Sequence, residues 1–189
     1  MNILITAIFT IIALSFDSSF GGIFTLKSVG SITPLAMPCL LVFISLFAPE
    51  MVALLTAIIL GFLVDLSIGQ SELSGGAHLI GPNALGFLVT SLLILKIRNV
   101  VFRRRVLTIA VLTSSAVIVI GAVQAMVLIV RGILPWTPPM SGGGFTEFIK
   151  LFATAIYTGL LSVPLGWCLL STIGIWKFHS PTGRRATWR

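Results

Sequence analysis

Charge is what this chain has least of. Only 9% of its 189 residues are Asp, Glu, Lys or Arg, whereas a soluble domain carries about 25%. So few charges cannot solvate a water-facing surface, and the expected solvent is lipid. Cysteine is nearly missing too. Cys39 and Cys168 are the whole supply, and both sit in apolar runs. That excludes a disulfide framework and a cysteine-based metal centre, so both thiols are expected to pack as small hydrophobes. Histidine is confined to His78 and His179, in a loop and in the tail, which leaves no intramembrane imidazole for a Ser–His dyad. HExxH, GxSxG and GxxxxGK[ST] patterns are absent as well. The expectation is no catalytic residue, no cofactor-binding residue and no metal ligand.

What remains is mostly hydrocarbon. Hydrophobic residues make up 57% of the chain, and the mean hydropathy is +1.12. The length accommodates one domain of about six spans near 20 residues each. We therefore expect an all-α integral membrane protein, with residues 1–177 as a single helical domain and 178–189 as a basic tail. The formal net charge of +7 would suggest nucleic acid in a soluble protein. Here basic and aromatic residues share no polar face, so the cations read as orientation signals and contacts to anionic lipid. Trp136, Trp167, Trp176 and Trp188 fit anchoring at the membrane interface.

Punctuation divides the spans. The first begins near Ile3 without a basic leader or a small-x-small cleavage site, so it reads as retained. To cross, it must run on toward Leu26, which places Asp17 inside it at a cost unless the acid faces protein or water. The second covers Pro34 to Ala48, with Pro34 and Pro38 in its first turns, where missing N–H groups do little harm. Pro49-Glu50 is a tight corner, and the third span is Met51 to Ile68. A polar loop, 69–79, leads to a fourth span from Ile80-Gly81-Pro82-Asn83 to about Leu95. The fifth is Val106 to Val130. The sixth runs from about Phe148 to Ile175, with a kink expected at Pro164.

Orientation follows from the cations. With six spans and a cytoplasmic N-terminus, nine of the twelve Lys and Arg residues fall on the cytoplasmic side. They occupy residues 96–105 and the tail, and the other face keeps Lys27, Arg131 and Lys150. That bias matches the positive-inside rule and places both termini in the cytoplasm of an inner-membrane protein.

Asp65 is the sharpest single signal. Fifteen residues beyond Glu50 in a helix, it lies about 22 Å into a core of about 30 Å, where an unpaired carboxylate is expensive. It reads either as an ion, proton or substrate site, or as a structural group that caps a neighbouring helix or bonds Asn83. Asn83 can cap the fourth helix or bridge to a neighbour. In the fifth span Ala110, Ser114, Gly121 and Ala125 share one face, the small-residue pattern that permits close helix contact in lipid. That face could turn inward or toward another chain, and Gln124 beside it can add an interhelical hydrogen bond.

The middle of the chain resembles the rod shape-determining protein MreD family. The resemblance lies in Gly61-Phe62-Leu63-Val64-Asp65 at a helix end and Gly81-Pro82-Asn83-Ala84-Leu85-Gly86-Phe87 at the next helix start. It is strongest over residues 34–98 and departs from the family in the longer loop between Asp65 and Gly81. It implies a bundle similar to the S-components of energy-coupling-factor transporters. It also implies a non-enzymatic part of the bacterial elongation machinery that binds an MreC-like bitopic protein. MreB-like filaments and peptidoglycan synthases would be further partners. Gly61, Asp65, Gly81, Asn83 and Ala84 are then the candidate interaction residues. The alternative is the membrane substrate-binding subunit of a vitamin-type transporter, with Asp17, Asp65 and Asn83 lining a cavity.

Overall fold

The computed structural model describes residues 3–20, 32–67, 81–99, 105–132 and 144–176. Lys27, the loop 69–79, Arg103, Arg104, Trp136, Lys177 and the tail 178–189 lie outside the described residues.

Every long described element is helical. The helices are α1 (Ile3–Ser15), α2 (Met37–Phe47), α3 (Glu50–Ser67), α4 (Pro82–Ile97), α5 (Val106–Gly132) and α6 (Gly144–Ser171); α1 runs on as one π-helical turn, Phe16–Phe20. Windows within α3, α5 and α6 (Glu50–Ser67, Val106–Val127 and Ile149–Ser171) are long and apolar enough to cross a membrane. The other three apolar helices are shorter. Two of these, α2 and α4, begin later than the apolar runs suggest. The physical reason is the same in both: each starts at a buried point where a carboxylate from the preceding helix receives its first N–H groups.

α2 is the axis of the bundle. Ten of its eleven residues are buried, which is what a helix apolar all round requires of its neighbours. Pro38 sits in its first turn, where no N–H is missed. Pro49 ends it and begins α3, its carbonyl accepting from Ala53 N at 2.9 Å. The corner is clasped by Arg98 at the end of α4, which donates to the Ala48 carbonyl and to Glu50 Oε1, both at 3.0 Å.

Successive helices run antiparallel. α3 and α4 touch at Gly61 and Ala84, α4 and α5 at Gly86 and Ile120, and α5 and α6 at Gly121 and Leu151. The threonines inside these apolar helices are satisfied locally, as Thr90 and Thr113 donate to carbonyls four residues back. Ser45 of α2 and Ser91 of α4 pair with each other at 3.0 Å. Trp176, just beyond α6, is buried against Phe9 and Phe43, with ring centroids 4.9 and 5.2 Å away. It is thus a core residue and not the interface anchor that its position suggests. Trp167 is exposed. Cys39 is buried but Cys168 is exposed, so only one thiol packs inside. The outward faces are apolar, as Leu55, Phe62, Val111, Ile129, Ile156 and Leu160 illustrate.

Candidate functional site

The five residues singled out around Asp65 meet at one joint. Asp65 lies in the last turn of α3 and is 0% exposed. A carboxylate at its own helix's C-terminus faces a negative dipole end. It is stabilised here because it also faces the N-terminus of α4, where the first N–H groups have no partner within the helix. Its Oδ2 accepts from Gly81 N at 2.9 Å and Ala84 N at 3.3 Å; its Oδ1 accepts from Asn83 N at 3.3 Å and Asn83 Nδ2 at 2.9 Å.

Two glycines make this approach possible. Gly81 precedes α4 with φ +128°, a conformation that side chains with a Cβ rarely adopt. Gly61 lies one turn before Asp65, and a Cβ there would land on Ala84 Cα, with Ala84 N at 2.8 Å and Asn83 O at 2.9 Å. The glycine lets α3 and α4 come together closely enough for one carboxylate to reach three backbone amides.

Asn83 extends the joint to a third helix. Its Oδ1 accepts a hydrogen bond from Gln124 Nε2 of α5. The side chains of Asp65, Asn83 and Gln124 therefore form a buried polar chain across α3, α4 and α5. Four donors on two oxygens fill a carboxylate's acceptor capacity, so the chemistry of Asp65 in this arrangement is that of a helix cap. Asn83 itself does not cap α4; it stands inside the first turn and bridges.

The same device occurs once more. Asp17, in the π-helical turn, accepts from Ala36 N at 2.5 Å and Met37 N at 3.0 Å, and so caps α2. Neither α2 nor α4 has a cap from its own N-cap side chain. Each borrows one from the helix before it. A carboxylate late in an apolar run, followed by a proline-opened helix, is the sequence signal shared by the two hairpins. It was visible at Asp65 and overlooked at Asp17.

On α5 the small residues face α6. A Cβ on Gly159 would fall on Ser114 and near the Ala110 carbonyl, and one on Gly121 would fall on Leu151. Ala125, one turn further, is exposed.

A separate apolar cleft opens between α1, α2 and α6, and Asp17, Asp65 and Asn83 are not among its lining residues. Among the described residues, no three His, Cys, Asp or Glu side chains gather to hold a metal ion. Comparison with known protein families, with curated proteins and with solved structures finds no match.

Proposed function

We propose that this chain is a non-enzymatic, multi-pass inner-membrane component of the bacterial cell-elongation machinery, of the MreD kind. It would bind an MreC-like bitopic protein and through it help to position peptidoglycan synthases. The observation that carries the reading is the joint itself. The residues on which the resemblance rests, Gly61, Asp65, Gly81, Asn83 and Ala84, converge there, and they fix three helices while leaving no carboxylate oxygen for a ligand. A rigid helical surface of set shape is what a scaffold needs. The six helices and their apolar outer faces fit a bundle that crosses the bilayer with both termini on the cytoplasmic side, the arrangement that the cation bias favours.

The transporter reading draws less support. Its candidate ligand groups, Asp17, Asp65 and Asn83, are all engaged in helix capping or bridging. The cleft between α1 and α6 is roughly 110 Å³, while small-molecule sites are usually about 300–1,000 Å³. The deciding experiment is crosslinking in membranes of rod-shaped cells, followed by purification in mild detergent and depletion. An MreC-like protein should be captured with the chain, and depletion should round the cells. Capture of ATPase subunits instead, with saturable binding of a vitamin-type ligand, would replace the scaffold with the transporter.

A further inference from the structure

Three seams around α2 close at glycine contacts, α3 to α4, α4 to α5 and α5 to α6. Between α1 and α6 a cleft of roughly 110 Å³ opens instead. Ala36 and Leu40 of α2 form its floor, Ile12 and Phe16 of α1 one wall, and Leu165 and Cys168 of α6 the other. The floor is buried, whereas Ile12 is 57% exposed and Cys168 is exposed, so the opening is lateral. Phe9 also lines it and is stacked on Trp176. The N–H of Ala36 is turned away to Asp17. No lining residue is charged.

These walls select the occupant. Water entering would lose hydrogen bonds and regain none, and an apolar cavity of about 150 Å³ is known to stay dry and to bind benzene or xenon. Left empty, the walls forfeit dispersion contacts. A helix about 10 Å across does not enter a space of this volume. A slender apolar group that reaches in sideways, past Ile12 and Cys168, does.

We propose that the cleft holds one hydrocarbon chain of a membrane lipid, inserted between α1 and α6 against α2, with its headgroup left outside. The inference rests on the reading of the chain as a membrane bundle. The test is photolabelling of the full chain in phosphatidylcholine vesicles containing a phospholipid with a diazirine in one acyl chain, with adducts mapped by mass spectrometry. Adducts on Ile12, Phe16, Leu165 and Cys168 should exceed severalfold those on Leu55, Ile59 and Phe62 of α3, which face outward without a cleft. Ala13→Phe, which fills the cleft from α1, should bring the excess down to the α3 level. Cys168→Trp should do the same from the exposed rim, where a larger side chain leaves the core untouched. Equal labelling of the cleft and α3 in the unaltered chain would overturn the proposal, as would an excess that survives both substitutions. Absence of adducts on α3 itself would refute the membrane reading, and with it the premise.

Discussion

Asp65 and Asn83 are joined twice: one carboxylate oxygen accepts both the backbone N–H and the side-chain amide of Asn83, at 3.3 and 2.9 Å. The pair is buried, and the second oxygen is taken by Gly81 and Ala84. A group bound this way cannot be removed without leaving several donors unpaired in an apolar surrounding, and each such donor costs about 1–3 kcal/mol, less where relaxation rescues it.

Asp65→Ala is therefore expected to lower stability by about 2–4 kcal/mol. Unfolding in mixed detergent micelles, followed by circular dichroism, reads this directly. Asp65→Asn keeps one acceptor oxygen but turns an NH₂ toward donors, so it should fall between the alanine variant and the native chain. If Asp65→Ala unfolds at the native midpoint, the cap is not what holds α3 to α4.

Gly61 makes a second, purely steric prediction. An added Cβ meets backbone atoms of Asn83 and Ala84, which cannot swing away as a side chain would. Gly61→Ala should cost about 1–3 kcal/mol, the usual range for overpacking. Ala84→Gly in the same chain should give no rescue, because the obstruction is the Ala84 Cα and N and not its methyl group. Recovery of stability in the double variant would show that the helices are spaced differently.

Arg98 and Glu50 separate an exposed charge pair from a buried donor. Their side chains are 13% and 70% exposed. An exposed partner of this kind contributes about 0–1 kcal/mol, so Glu50→Ala should change stability little, and less still at high salt. Arg98→Ala also removes the donor to the Ala48 carbonyl at the α2–α3 corner and should cost about 1–2 kcal/mol more. Equal effects of the two substitutions, measured in the same micelle titration, would mean that the corner bond contributes nothing.

Much of this was legible in one dimension. Helix α3 follows from the apolar run between Pro49 and the polar loop, and α5 from the run that follows the basic segment. The glycine–aspartate end and the Gly-Pro-Asn start of neighbouring helices are local patterns, and they identified both halves of the Asp65 joint. What stayed hidden depends on packing. Arg98 looks like one of five cations that set orientation, and only the fold brings the end of α4 to the α2–α3 corner. Trp176 sits where an interface anchor would, and only the return of α6 beside α1 buries it against Phe9 and Phe43. Asp17 stands 19 and 20 residues from the amides it binds, and nothing in the intervening residues announces which helix start will come to it.

That second aspartate gives the prediction most specific to this fold. If Asp17 caps α2 as Asp65 caps α4, then Asp17→Ala should free two N–H groups where Asp65→Ala frees four. Its cost should be about 1–2 kcal/mol, in the range for loss of a helix N-cap, and smaller than that of Asp65→Ala. The effect should also be local. Amide exchange should quicken at Ala36 and Met37, while Gly81, Asn83 and Ala84 keep their native protection, because their acceptor sits in the other hairpin. Asp65→Ala should produce the reverse pattern. Were either substitution to release both sets of amides together, the two caps would belong to one cooperative unit and α2 would not be held independently of α4.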